Sequence, residues 1–129
     1  MHKSRLAGLI IDCDTDDLDA AAGFWAKALG APAQHAADLS KSLYVALNMP
    51  AGEPYIEIQK VDHSSRVHID IESDDVEAEV ARLEKLGAKR ITEIKKWVVL
   101  EAPTGQRFCV VPVVSVDFAA RAHTWNEDE

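Results

Sequence analysis

The sequence predicts an α+β fold of two tandem βαβββ modules, a mostly antiparallel sheet with helices on its outer face. Three observations carry this. Leu6-Ala7-Gly8-Leu9-Ile10-Ile11-Asp12 is echoed by Arg66-Val67-His68-Ile69-Asp70-Ile71-Glu72. Each opening then runs into an acidic turn and an amphipathic stretch closed by Leu-Gly-Ala, first Asp16-Asp17-Leu18 to Leu29-Gly30-Ala31, then Asp74-Asp75-Val76 to Leu86-Gly87-Ala88. The endings match as well: Tyr44 to Gly52 answers Trp97 to Gly105, and an aromatic-led apolar strand follows each. Two copies of one unit are expected to pair about a pseudo-twofold axis and line a shared cavity.

Within each copy the apolar period changes from two to about 3.6, as when a strand feeds a helix. Val67, Ile69 and Ile71 alternate with His68, Asp70 and Glu72, so that strand has an apolar face for a helix to cover and a polar one. The first helix, about Asp17 to Leu29, aligns Leu18, Ala21, Ala22, Trp25 and Leu29, with Thr15 or Asp16 as N-cap and Gly30 as stop. Phe24 and Trp25 read as core. The second helix, about Asp75 to Leu86, turns Val76, Val80 and Leu83 inward, with Asp74 and Glu77 resembling a capping box and Gly87 ending it.

Hairpins come next. Ser42 to Leu47 and Pro54 to Val61 flank Met49-Pro50-Ala51-Gly52; Trp97 to Glu101 and Arg107 to Val114 flank Pro103-Thr104-Gly105. Gln34 to Asp38 and Arg90 to Lys96 are the ambiguous stretches, where a further short strand fits each module. The tail, with apolar residues at 118, 119, 122 and 125, suits a short terminal helix packing Phe118 and Trp125, and 126–129 should fray. The organisation expected is one domain over 1–129, with module one at about 6–62, module two at about 66–114 and a tail at 115–129.

Fourteen basic against twenty-two acidic residues give a net charge of −8, and the Lys and Arg form no stripe that could track phosphates, so nucleic acid is not an expected partner. No apolar run approaches the roughly 20 residues of a membrane span, and Met1 to Arg5 precede no signal-peptide core, so a cytoplasmic protein without a membrane partner is expected. Cys13 and Cys109 fit a reducing compartment as buried thiols. The acidic runs Asp14 to Asp19 and Glu72 to Glu79 are better explained by helix N-termini than by calcium. His2, His35, His63 and His123 fall in loops or tails without ligand spacing.

The duplicated module, Phe24-Trp25, the Leu-Gly helix stops, Pro103-Thr104-Gly105-Gln106-Arg107-Phe108 and His68 together resemble the vicinal oxygen chelate superfamily. Asp12-Cys13 and Phe108-Cys109-Val110-Val111 resemble its glyoxalase-like subgroup in particular. The resemblance covers about Leu6 to Val114 and implies a cup-shaped sheet. It leaves the activity open, because relatives include lyases, isomerases, dioxygenases and binding proteins of the bleomycin-resistance type. Relatives often form dimers, so a homodimer is implied.

Relatives that use a metal place a ligand on the first and last strand of each module. Carried over, these positions are Gly8, His68, Glu57 (or Ile56, if the copies are aligned without a gap) and Cys109. Gly8 has no side chain to offer. Asp12 lies about 13 Å of strand away from it and Asp70 about 6.6 Å from His68, so neither restores the set simply. No cofactor is therefore expected. A divalent ion such as Zn, Ni, Fe or Mn held by His68, Glu57 and Cys109 is the reduced alternative.

Glyoxalase I activity is not expected with two of the four ligand positions lost. What remains is a polar cluster, Glu57, Gln59, His68, Asp70 and Asp12, rimmed by Tyr44 and Trp97, which suits a small organic ligand. One reading is a metal-free binder whose acidic surface attracts cationic compounds. The other is a lyase, isomerase or dioxygenase in which His68 and Glu57 serve as acid and base.

Overall fold

The computed structural model describes residues 1–34 and 43–126. Its elements follow the order β1 (His2–Asp14), α1 (Leu18–Leu29), β2 (Ala33–Gln34), β3 (Tyr44–Leu47), β4 (Tyr55–Val61), then β5 (Arg66–Ser73), α2 (Val76–Lys85), β6 (Lys89–Ile94), β7 (Trp97–Glu101) and β8 (Arg107–Pro112). That is βαβββ twice. A single-turn α3 (Phe118–Arg121) and β9 (His123–Trp125) follow. The ambiguous stretches resolve as β2 and β6; residues 35–38 of the first lie outside the described residues.

The pairing is the same in both repeats. β1 runs parallel to β4, with Ile10 opposite Glu57, and β5 runs parallel to β8, with Asp70 opposite Cys109. β4 then pairs antiparallel with β3 and β3 with β2, just as β8 pairs with β7 and β7 with β6. This register makes Glu57 rather than Ile56 the counterpart of Cys109.

The chain forms two compact units. One comprises Gly8–His68 and the other Met1–Ala7 with Ile69–Glu129. In the first unit, Ile11, Ala22, Ala31, Val45, Leu47 and Ile58 form the core, with Leu18, Trp25 and Ile56 packed against it. Helix α1 begins at Leu18, the first residue of its apolar stripe and one residue after the expected Asp17. Asp17, not Thr15 or Asp16, is the N-cap, its carboxylate accepting from Ala20 N at 3.0 Å, and Gly30 at φ 68° closes the helix in the left-handed conformation. Phe24 is not core: it is 63% exposed and stands edge-on to Trp25 at 5.1 Å.

In the second unit the core is Val80, Val98, Leu100 and Val110, supported by Val76, Leu83, Ala88 and Phe108. Here the N-cap is Asp75, accepting from Ala78 N, whereas Asp74 accepts from Lys3 N at 2.8 Å. The alternation of β5 holds, but its consequence is reversed. Val67 and Ile69 are exposed while Asp70 and Glu72 are buried. Burial of Glu72 is tolerable because its carboxylate accepts from Val114 N, Ser115 N and Ser115 Oγ at 2.9, 2.9 and 2.6 Å, with Arg5 Nε at 3.9 Å.

The tail forms the expected short helix with Phe118 buried, but the helix stops at Arg121. Trp125 belongs to β9, which pairs antiparallel with the start of β1, His2 opposite Trp125. Its indole N–H donates to Ser4 Oγ at 2.8 Å and its ring carries the Arg82 guanidinium at 3.8 Å. Beneath them the fully buried Glu79 is held by Arg82 through two bonds of 2.8 Å, by Ser4 Oγ at 2.7 Å and by His2 Nε2 at 2.8 Å. His2 is thus a strand residue with a partner, not a loose terminus. Burial alone would raise the Glu79 pKa, but hydrogen bonds from Arg82, His2 and Ser4 outweigh it and hold the carboxyl below the usual range. No described helix is long and apolar enough to cross a membrane.

Candidate functional site

Side chains of residues paired across neighbouring strands share a face. In the Gly8–His68 unit the pairs Gly8–Tyr55, Ile10–Glu57, Asp12–Gln59, Tyr44–Gln59 and Ala46–Glu57 therefore define one surface. The opposite surface carries Ile11, Ile56, Ile58, Val45 and Leu47, which bury against α1. A strand period of two thus separates a core-forming face from a face bearing two phenols, an amide and two carboxylates.

Asp12 and His68 are the most tightly coupled residues on that face. His68 Nδ1 lies 2.6 Å from Asp12 Oδ2, a short hydrogen bond assisted by the carboxylate charge. A carboxylate can only accept, so Nδ1–H donates, and in the neutral ring the lone pair resides on Nε2. Asp12 is 2% exposed, its second oxygen Oδ1 is buried without a hydrogen-bond partner, and the Arg66 Nε stands 3.8 Å from Oδ2. The same carboxylate reaches across the strand: burial, with the Asp12 charge added to it, raises the Cys13 pKa against a lowering hydrogen bond with Trp25.

Tyr44 and Gln59 face each other on β3 and β4, with Gln59 Nε2 donating to the Tyr44 hydroxyl at 3.1 Å. Glu57 sits one strand position before Gln59 on the same face and is half-buried. Tyr55, which the sequence reading overlooked, lies opposite Gly8 on this face. Only the pairing register could have found it, because a glycine reveals a covering side chain from the neighbouring strand and not from its own.

On the β5–β8 pair, Asp70 is buried opposite the half-buried Cys109, and Trp97 of β7 shares their face. His68 precedes Asp70 by two positions on the same strand. One donor atom from each of His68, Asp70 and Cys109 lies within 4.8 Å of the others. Among the described residues this is the group able to surround a cation, and it contains Asp70 where the sequence reading had Glu57. The four-position chelate implied by the resemblance does not fit. A Cβ on Gly8 would stand 2.3 Å from the Tyr55 ring, so no donor can be placed there.

A glyoxalase-like domain model matches residues 9–111. No curated protein matches the chain in sequence. Among solved structures, methylmalonyl-CoA epimerase from Mycobacterium tuberculosis is similar with a TM-score of 0.63 at 16% identity, over 89% of this chain and 91% of that one. A variant of the Streptomyces coelicolor methylmalonyl-CoA epimerase in complex with 2-nitronate-propionyl-CoA gives 0.59 at 18% identity, over 86% and 98%. A hypothetical protein from Bacillus halodurans gives 0.62 at 14%, over 95% and 99%. These likenesses concern the fold. With the family model spanning most of its length and the doubled βαβββ order behind it, the chain belongs to the glyoxalase-like domain family.

Proposed function

We propose that this domain binds a small organic carbon acid on the Asp12–His68 face and moves a proton on it, as an isomerase, epimerase or lyase does. The observation that supports the reading best is the 2.6 Å bond between His68 Nδ1 and a carboxylate that is almost wholly buried. Asp12 fixes the ring orientation and tautomer and stabilises the imidazolium that forms when Nε2 accepts a proton. Glu57, on the strand beside Asp12, serves as the second acid or base and delivers a proton to the carbon that His68 has deprotonated. Tyr44 and Gln59 orient the ligand by hydrogen bonding. No resident cofactor is needed for these steps. Similarity to epimerases in fold makes methylmalonyl-CoA a rational first compound, although the substrate class is drawn from the chemistry of the site.

The test is exchange of carbon-bound hydrogen with deuterium oxide, followed by NMR for methylmalonyl-CoA and for short 2-oxo and 2-hydroxy acids. Exchange with wild type that falls by about 10²-fold or more in His68→Ala supports proton transfer. Saturable binding without any exchange supports the second reading, a binding protein, which the Tyr44–Gln59 pair on an accessible face favours. We further propose a cytoplasmic homodimer; a monomer mass in sedimentation equilibrium would overturn that.

A further inference from the structure

Gly8 and Tyr55 fit closely on the proposed ligand face. A Cβ at position 8 would lie 2.3 Å from Tyr55 Cδ1, 2.4 Å from Cε1 and 2.6 Å from Cγ, separations that no real side chain tolerates. The two residues are register partners on β1 and β4, so the ring lies directly over the glycine backbone. An aromatic ring covering a cross-strand glycine restores the apolar contact that the glycine lacks. The position is therefore filled with carbon and not merely empty of a donor.

We propose that Tyr55 converts the would-be ligand position of module one into an aromatic floor, on which a flat, unsaturated part of the substrate rests. This rests on the reading that the ligand binds on the Asp12–His68 face. Tyr55 is only half-buried, so the ring retains surface to offer. Its neighbours on the same face are chemically suited to the rim of a planar group. Glu57 lies two positions along β4, Gln59 follows at the next position on that face, and the Gln59 amide is held by Tyr44. Stacking supplies contact area over a planar π-system, and the carboxylate and amide supply hydrogen bonds to its edge. An enolate, an aryl group or a conjugated carbonyl meets that description, whereas a saturated chain does not. Recognition in module one then depends on shape and polarisability in place of chelation.

Two measurements test this. The first is a double-mutant cycle: Gly8→Ala should lower the unfolding midpoint when the Tyr55 ring is present and cost much less in a Tyr55→Ala background, where the clash is gone. Equal losses from Gly8→Ala in the presence and absence of the Tyr55 ring would overturn the geometric premise. The second uses 2-naphthol as the planar probe, with cyclohexanol as saturated control, followed by NMR of the tyrosine ring signals. Wild type should bind 2-naphthol at least tenfold better than cyclohexanol, with Tyr55 signals shifted, and Tyr55→Leu should lose that preference. Undiminished preference in Tyr55→Leu, or none in wild type, would sink the proposal. A wild type that prefers 2-naphthol yet shows no hydrogen exchange would sink the proton-transfer reading and leave the floor standing, whereas exchange without that preference would sink the floor alone.

Discussion

His68 Nδ1 and Asp12 Oδ2 are 2.6 Å apart, and Asp12 sits at the end of a strand whose opposite face is core. The imidazole is therefore oriented by a buried carboxylate carried on a strand. Asp12→Asn should leave the fold intact and reduce proton transfer by about 10²-fold or more, because an amide can present its N–H to Nδ1 and select the wrong tautomer. The check is kcat for exchange compared with His68→Ala; equal activity of Asp12→Asn and wild type would remove Asp12 from the mechanism.

Added zinc should inhibit. The imidazole, carboxylate and thiol of His68, Asp70 and Cys109 can approach one cation, with Asp12 behind the imidazole as an outer partner. A metal-held Nε2 cannot take a proton. Inhibition reversed by EDTA and weakened at least tenfold in Cys109→Ser is the expected result, and cobalt(II) should give a near-ultraviolet thiolate band that the same substitution abolishes.

Glu79 should contribute to the acid limb of stability, and give up its proton-free state later than ordinary carboxylates. Its pKa lies below the usual range in the folded protein, so the carboxylate stabilises the fold above the unfolded value and loses that contribution as the pH drops below about 4.3. Glu79→Gln should flatten the acid limb of the stability curve. Arg82→Ala, which leaves a buried carboxylate short of its bidentate partner, should reduce unfolding free energy by about 3 kcal/mol. Urea denaturation at pH 4 and pH 7 distinguishes the two.

Cys13 should alkylate slowly. Burial and the Asp12 charge raise its pKa, so little thiolate is present near neutrality. Iodoacetamide labelling read by mass spectrometry should show Cys13 reacting several-fold more slowly than an unstructured thiol, and Asp12→Asn should speed it.

Much of the architecture was readable because duplication compares the chain with itself: Leu-Gly-Ala stops and Pro-Gly turns mark the same boundaries twice. The helix starts missed by one residue because adjacent aspartates compete for the cap, and only geometry selects Asp17 and Asp75. Period two divided the faces of β5 correctly, but a pattern of polarity assumes that carboxylates seek water. Glu72 does not, because three donors of the tail meet it. A local pattern says which residues of one strand share a face; the partners Asp12–His68 and Gly8–Tyr55 depend on register between strands, which no local pattern encodes.

The tail's grip on Glu72 has a practical corollary. A fragment ending at Pro112 would contain every helix and strand of the two repeats, yet would strand an anion inside protein with Arg5 as its remaining counterpart. Trimming the C-terminus to tidy a domain for crystallisation or fusion is thus expected to lower stability, and epitope tags belong beyond Trp125.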